Sequence, residues 1–529
     1  MNTKYVLFLC LVLFRIDSFG HDQNVHQAIT ANAAASAYVH SSGYFSFVDT
    51  VSSDMPLFTA TNSMVTGSYD EDDKDVQPDK SKDIGGKRSL NHFYDPLDTS
   101  TNGKALSDFP TDSRKLEGRN SFVWASVSNC LGYDIFVNDP TGWLKNKSTT
   151  NIWSWPNARG YEWLGLTEAD QSERQTNLLA MFRAVGQVMH LLEDTSQPQH
   201  VRNEQHLDVL GKAFWESPIE DWGLKNTTNL NYGDGYKLDW RGDGFTKLED
   251  FWNRHLYNGS AAALNADTNG GIYTLGLAEW CNGNFIGDRH KHAEFYPTTA
   301  SDIRYYPHPA LKDTTQPQIN PRNLAGTVIS QITLENLKQG NRAYLAKTNA
   351  GVVVTHHSAL TYFAVRHTPR IGGPSMGVGL TIRDSNVLSD YHAIFIPKAV
   401  KYSAGLLDYY FRGNLGVGVS NVSAGTFSLQ ITNLSGQAFN GGAFHLFYDD
   451  AESNRTEIAD GPDYHNFYTD TGTLASNGVV TATFHAPDNV STNYLLVFRG
   501  TIGVSNGTPL DPVDASVGLA LIWRTERSA

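Results

Sequence analysis

The segment from residue 172 to 195, SERQTNLLAMFRAVGQVMHLLEDT, limits the possible folds more than any other part of the chain. Its apolar residues cover most of the circumference of a helix, and a helix of that kind is buried. One stripe is polar or small and contains Arg183, Gln187, His190 and Asp194. Because buried ionisable groups are costly without partners, the stripe must be satisfied inside the protein, and a metal ion is one way to do so.

The end of this segment carries the spacing H-x3-D-x5-H, at His190, Asp194 and His200. Residues four apart share a helix face, so His190 and Asp194 point the same way. Pro198 is predicted to end the helix, which allows His200 to return from the exit segment. His190 and Asp194 alone would also fit a buried hydrogen-bonded pair. The added histidine favours a metal site, provided that other ligands come from elsewhere.

Further candidate ligands lie outside the helix. His92 occurs in NHFYDP, and an acidic run, GSYDEDDKD, covers residues 67–75. The remaining candidates, two histidines near the N-terminus and two glutamates four apart, are His21, His26, Glu216 and Glu220. Nitrogen and carboxylate ligands without thiolates are typical of zinc in a hydrolytic site.

The N-terminus resembles an export signal. Lys4 precedes the apolar run YVLFLCLVLF, which is too short to span a bilayer, and small residues at Ser18 and Gly20 suit cleavage after Gly20. An uncleaved anchor is the alternative. Cleavage would leave His21 as the first residue of a secreted protein, extracellular or periplasmic. In such an oxidising compartment the two remaining cysteines, Cys130 and Cys281, could form a disulfide.

Length and charge limit the architecture and the partners. A chain of 529 residues is too long for one ordinary domain. The formal net charge of −14 weakly disfavours a polyanion such as nucleic acid, although it does not exclude a nuclease whose positive charge comes from metal.

The pattern along the chain predicts a signal peptide at 1–20, a mainly α-helical domain at 21–412 and an antiparallel β-sandwich at 413–529. Besides 172–195, helices are predicted near 24–38, 248–264, 323–346 and 387–410. The polar stretches 66–90 and 97–120 are predicted to be loops. Short alternating or apolar segments separated by Gly, Asn and Asp predict the strands after residue 413.

These motifs resemble those of the zinc-dependent phospholipase C family, whose helical fold is shared with fungal single-strand nucleases. The family has H-x3-D-x5-H, a histidine in an HF-aromatic-DP string, matched by His92, and an aspartate upstream of it. That aspartate corresponds best to Asp72, with Asp70 and Asp73 as alternatives. The family also uses its mature N-terminal residue and a nearby histidine, which would be His21 and His26. The resemblance covers residues 21–222.

Two positions depart from the family pattern. Glu216 stands where the family usually has the histidine of a His-x3-Glu pair, so the matching pair here is Glu216 and Glu220, and His206 is a possible substitute. His21 stands where the family has tryptophan, which backbone ligation tolerates. For residues beyond 413, the similarity is only to the membrane-contacting sandwich that some of these phospholipases carry.

The resemblance implies two or three zinc ions. One would be bound by Asp72, His92, His190 and Asp194. Another would be bound by His200, Glu216 and Glu220, and a third by the His21 backbone, His26 and a bridging Asp194. Zinc would polarise a phosphoryl oxygen and activate the attacking water, and Asp72 would orient or deprotonate that water.

Three functions follow from this interpretation. The first is a secreted phospholipase C that hydrolyses glycerophospholipids at a membrane surface to diacylglycerol and a phosphorylated headgroup, without a covalent intermediate. The second is a zinc-dependent single-strand nuclease or nucleotidase on the same scaffold. The third is a non-catalytic secreted binding or adhesion protein, in which the zinc is structural.

Overall fold

The fold of the chain is given by a computed structural model. The structure describes residues 23–38, 60–72, 88–97, 104–105, 118–131, 150–204, 217–233, 238–257, 261–268, 274–287, 343–347, 351–360, 380–423, 426–450, 452–458, 472–485, 493–503 and 516–523. None of the helices in these ranges is long and apolar enough to cross a membrane.

Helices predominate before residue 411. In chain order they are α1 (Gln23–Ser36), α2 (Ala60–Asp70), α3 (Ser121–Ser126), α4 (Trp155–Thr167), α5 (Gln171–Asp194), α6 (Pro218–Asn226), α7 (Glu249–Trp252), α8 (Ala261–Thr268), α9 (Leu277–Asn284) and α10 (Ser385–Tyr410). Short 3-10 turns occur at Ser89–Asn91, His200–Arg202 and Thr227–Asn229.

Helix α5 corresponds to the buried helix predicted at 172–195, and the structure confirms that helix. Asp170 caps its N-terminus, because the Oδ1 atom accepts a hydrogen bond from the Glu173 N–H at 3.0 Å. The second half, from Ala184 to Asp194, is buried without interruption. The chain leaves helical geometry soon after Asp194, before Pro198, and His200 begins a 3-10 turn. Helix α5 therefore places His190 and Asp194 in the interior of the protein.

Two glycines let α2 approach α5 backbone to backbone. A Cβ atom at Gly67 would lie 2.0 Å from the Arg183 carbonyl oxygen, and one at Gly186 would lie 2.0 Å from that of Met64. Neither position can hold a larger residue while the helices keep this separation. Helix α2 continues to Asp70, so residues 66–70 are helical and not the predicted loop.

Helix α10 covers the other side of the helical core. Asp384 caps it by accepting hydrogen bonds from the N–H groups of Asn386 and Val387. Its buried face includes Tyr391, Ser403 and Tyr410 and packs against α1, α5 and the strand Val354–Leu360. It lies close to the predicted 387–410.

Strands predominate after residue 414. Short pairs occur earlier, at β1 (Lys104–Ala105) with β2 (Gly118–Arg119), and at β3 (Cys130–Leu131) with β4 (Thr150–Asn151). A three-stranded antiparallel sheet joins β5 (Ala343–Lys347), β6 (Val354–Leu360) and β7 (Leu380–Thr381). The later strands are β8 (Leu415–Ser423), β9 (Thr426–Asn433), β10 (Phe439–Asp449), β11 (Arg455–Glu457), β12 (Thr473–Leu474), β13 (Val479–His485), β14 (Asn493–Ile502) and β15 (Ser516–Trp523).

The later strands form two antiparallel sheets. One has the order β13-β9-β8, and the other has the order β11-β10-β14-β15, with β12 also paired to β10. One apolar core contains residues from both sheets, among them Leu429, Ile431 and Phe484 from the first and Phe444 and Phe498 from the second. The two sheets are thus joined by a shared core.

Arginines connect the helical part to these sheets. Arg455 donates through Nη1 to the Leu166 carbonyl oxygen at 2.6 Å and pairs through Nε and Nη2 with Asp449. Arg174 donates to the Ser453 carbonyl oxygen at 2.8 Å. These bonds join the end of α4 and the start of α5 to the β10–β11 edge.

Two predicted helices were wrong in part. Among the described residues of 248–264 (248–257 and 261–264), the helices are α7 and the start of α8, because Asn253 is extended and His255 adopts a positive φ of 59°. Residues 343–346, predicted as helix, belong to β5, where pairing with β6 overrides the local pattern. The rest of 323–346 lies outside the described residues.

The cysteines are not paired. Cys130 and Cys281 are both free and buried. The Cys281 thiol donates to the Ser196 carbonyl oxygen at 2.9 Å. The disulfide that the sequence allowed is therefore not formed.

Candidate metal centre

Five of the predicted ligands converge in a buried cluster. They come from α1 (His26), the turn after α2 (Asp72), the segment after the first 3-10 turn (His92) and the end of α5 (His190, Asp194). All five side chains are completely shielded from solvent. Within this cluster two groups have potential ligand atoms within 4.8 Å of one another: His26, His190 and Asp194, and Asp72, His92 and His190.

Asp194 faces both groups through different oxygens. Its Oδ1 atom lies 3.2 Å from Nε2 of His26. Its Oδ2 atom lies 2.9 Å from Nδ1 of His92 and 3.3 Å from Nε2 of His190. A carboxylate placed in this way can bridge two adjacent cations.

Asp72 lies opposite Asp194 and has unused hydrogen-bonding capacity. Its Oδ1 atom is 3.6 Å from Nδ1 of His92, and its Oδ2 atom is 3.5 Å from Nε2 of His190. Neither oxygen forms a hydrogen bond with any residue that the structure describes, although both are buried. Because buried carboxylate oxygens are costly when unsatisfied, this is the position at which a cation fits.

In each of the three histidines of the cluster, one ring nitrogen faces Asp194, and the second ring nitrogen lies beside a different acceptor. Nδ1 of His26 is 2.8 Å from Glu193 Oε2, and Nδ1 of His190 is 2.7 Å from the Ser68 carbonyl oxygen. On the far side of His92, Nε2 lies 3.5 Å from Glu71 Oε1. Such partners fix the tautomer and orientation of metal-binding histidines.

Glu71 is itself held firmly. Its carboxylate accepts hydrogen bonds from Arg88 Nη2 at 2.5 Å and from Trp124 Nε1 at 3.0 Å. Arg88 also donates to Gln187 Oε1 at 2.8 Å, which ties the pair to α5. Burial alone would raise the pKa of Glu71, but Arg88 and His92 lower it to about 2.

The electrostatics of the cluster favour added positive charge. Burial by itself lowers the pKa of His26, but Asp194 and Glu193 outweigh it and raise that pKa to about 10. Burial also lowers the pKa of His92, but Asp194 and Glu71 outweigh burial and raise that pKa to about 10. Despite burial, the surrounding histidines hold the pKa of Asp194 well below its usual value. The buried carboxylates therefore require protonated histidines or a cation.

The donor set fits zinc. Imidazole nitrogens and carboxylate oxygens, without thiolates, are zinc ligands in hydrolytic sites. The unsatisfied oxygens of Asp72 and the acceptors behind the histidines match what such an ion requires.

His200 lies beside this cluster without belonging to either group. It is buried, its ring centroid is 6.5 Å from that of His92, and its Nδ1 atom is 3.2 Å from the His92 carbonyl oxygen. Its ring also stacks on Phe93 with centroids 4.7 Å apart. The exit segment therefore brings His200 back to the site, as the position of Pro198 predicts.

Of the remaining predicted ligands, Glu220 belongs to the described residues and His21 and Glu216 do not. Glu220, partly exposed on α6, is in neither group of described residues. Its N–H donates to Ser217, whose hydroxyl donates in turn to Gln199, next to His200. His21 and Glu216, with the alternatives His206 and Asp73, lie outside the described residues. Asp70, the remaining alternative to Asp72, pairs instead with Arg183 at 2.6 Å.

Sequence reasoning missed two buried carboxylates, Glu71 and Glu193. Glu71 lies in the acidic run next to Asp72, and Glu193 precedes Asp194 on a helix that is buried at this point. The signal for Glu193 was present, since a glutamate on a fully buried helix turn needs a partner. The identity of that partner was not readable from the sequence.

Comparison with known proteins adds little to this geometry. No protein-family model matches the chain, and no curated protein is significantly similar to it. Among solved structures, the alpha toxin from Clostridium absonum is 12% identical, with a TM-score of 0.25, over 91% of this chain and 90% of that one. The alpha toxin from Clostridium perfringens, avian strain SWCP, has the same identity and TM-score over 96% and 98%. At this TM-score the similarity defines neither fold nor function.

Proposed function

We propose that this protein is a secreted zinc-dependent phosphodiesterase of the phospholipase C type. The observation that carries the proposal is the convergence of His26, Asp72, His92, His190 and Asp194 in one buried cluster. The side chains come from four separate segments, and their buried carboxylates require positive charge, which either protonated histidines or a bound cation can supply.

Asp72, His92, His190 and Asp194 would hold one zinc ion, and His26 with Asp194 would hold part of a second. When bound, zinc would polarise a phosphoryl oxygen and make water more acidic. Asp72 can accept a proton from the attacking water, because its oxygens are free of hydrogen bonds to the described residues. Asp194, which faces both His26 and His92, would contribute to holding both ions. His21, His200, Glu216 and Glu220 are proposed to complete the sites.

A phospholipid substrate is preferred to nucleic acid. The formal net charge of −14 opposes binding of a polyanion, whereas a single phosphodiester in a lipid headgroup needs only local positive charge. The two sheets after residue 414 share one core, which supports a β-sandwich as a second domain. We propose that this domain contacts the membrane surface, and that residues 1–20 are removed on export.

The test measures zinc content and hydrolysis together. Wild-type protein with a verified N-terminus should bind zinc and release diacylglycerol from phosphatidylcholine micelles, while leaving single-stranded DNA intact. Asp194→Asn should lower the rate of lipid hydrolysis more than about 100-fold, since it weakens ligands to two ions. Glu162→Gln, a change at a buried carboxylate that pairs with Arg159, is the control.

The alternatives give different results. Cleavage of single-stranded DNA in preference to lipid would replace the proposal with a nuclease. Bound zinc without hydrolysis of either ester would favour the non-catalytic binding protein. Equal loss of rate in Asp194→Asn and Glu162→Gln would show a general effect on folding and would remove the support for the site.

A further inference from the structure

Glu193 occupies a position that the proposed zinc ligands do not explain. It is completely buried on α5, next to Asp194. Its Oε2 atom lies 2.8 Å from Nδ1 of His26. Its Oε1 atom accepts hydrogen bonds from the hydroxyls of Thr30 at 3.0 Å and Ser403 at 3.2 Å. The carboxylate is therefore fixed by α1 and α10 at once.

The two nitrogens of His26 have distinct partners. Nδ1 faces Glu193, and Nε2 faces Asp194 Oδ1 at 3.2 Å. An imidazole that donates through Nδ1 has its lone pair on Nε2, which is the atom on the side of Asp194 and His190. The ring also stacks on His190 with centroids 3.7 Å apart, so its plane is set.

We propose that Glu193 is a positioning residue for the metal centre, which acts by holding His26 in the tautomer and orientation that present Nε2 to the ion. The inference rests on the zinc centre of the proposed function, but not on its substrate. A carboxylate partner raises the basicity of a ligating histidine more than a neutral acceptor does. Because Ser403 of α10 donates a hydrogen bond to Glu193, α10 also contributes to metal affinity through this carboxylate.

The test is a double-mutant cycle on zinc affinity. Zinc dissociation constants are measured by competition with a chromophoric chelator for wild type, Glu193→Gln, His26→Ala and the double variant. Glu193→Gln keeps the size of the side chain but removes its charge and one acceptor. It should weaken the site that contains His26 by 10- to 100-fold. In the His26→Ala background the same change should have an effect below about threefold, because Glu193 acts through His26.

Glu162→Gln, at the buried pair with Arg159, is the matched control for loss of a buried carboxylate. Circular dichroism verifies that each variant is folded, and Glu193→Asp tests whether a shorter carboxylate restores part of the affinity. Unchanged affinity in Glu193→Gln, or an equal loss with and without His26, would overturn the inference. If the zinc dissociation constants of the four proteins change as predicted but the wild type does not hydrolyse lipid, the inference is supported and the proposed function is refuted. Failure of the wild type to bind zinc would overturn both.

Discussion

At the scale of single residues, Lys347 shows how burial changes a charge. Its side chain is buried at the end of β5, where Nζ donates to Asn284 Oδ1 at 2.9 Å and to the Val352 carbonyl oxygen at 2.8 Å. Burial lowers its pKa from 10.5 to about 7. Between these two values the folded protein binds fewer protons at this site than the unfolded chain, so its contribution to stability rises with pH.

Lys347→Met should remove this dependence. Burial of the charged Lys347 lowers the free energy of unfolding, and this loss is fully present below pH 7. Between pH 7 and 10.5 the loss decreases by about 1.4 kcal/mol for each pH unit. Free energies of unfolding from urea titrations at several pH values between these limits should therefore rise less steeply in the variant. The exposed Lys225 provides Lys225→Met as a control. Parallel curves for wild type and Lys347→Met would contradict the prediction.

At the scale of elements, the contact between α2 and α5 positions residues of the candidate metal centre. Helix α2 supplies the Ser68 carbonyl oxygen to His190 and ends two residues before Asp72. Gly186→Ala would place a Cβ atom 2.0 Å from the Met64 carbonyl oxygen, so the helices must separate. We expect a loss of about 2–4 kcal/mol in stability and weaker zinc binding, as measured by denaturation and metal titration.

Gly160 on α4 provides the matched control, because a Cβ atom there meets nothing within 4 Å. Gly160→Ala should leave zinc binding unchanged and should alter stability by no more than about 1 kcal/mol, in the stabilising direction, since alanine favours helix. If the two alanine variants behave alike, close packing of α2 on α5 is not what holds Asp72 at the site.

At the scale of the whole molecule, Arg412 connects the end of α10 to the sheets. It is buried and donates to the carbonyl oxygens of Tyr409 and Ile502 and to Gln437 Oε1, each at 2.9 Å. Arg412→Met would leave buried acceptors unsatisfied, with an expected loss of about 2–4 kcal/mol in thermal or urea unfolding. Zinc content should match that of the wild type, because none of the acceptors of these three hydrogen bonds is a proposed metal ligand.

The exposed Arg383 gives Arg383→Met as the comparison, with an expected change within about 0.5 kcal/mol. Equal stability of the two arginine variants would show that the helical part and the sheets do not depend on Arg412. Loss of zinc from Arg412→Met would show instead that the interface and the metal centre are coupled.

The sequence by itself determined the local features. Apolar residues around the circumference of residues 172–195 predicted a buried helix, and the spacing of His190 and Asp194 placed them on one face. Alternating segments after residue 413 predicted strands there. These features follow from helix and strand periods, which depend on near neighbours alone. Pro198 similarly predicted the end of the helix.

Only the tertiary structure decided which groups meet. It placed Asp72 beside His92 and His190 and turned Asp70 toward Arg183, although the sequence offers both in one acidic run. It left Cys130 and Cys281 without a disulfide, and it made residues 343–346 a strand by pairing them with β6. It also brought Glu193 into contact with His26 and with Ser403, which lies 210 residues later in the sequence. Contacts of such separation depend on how whole helices pack, and no local period encodes them.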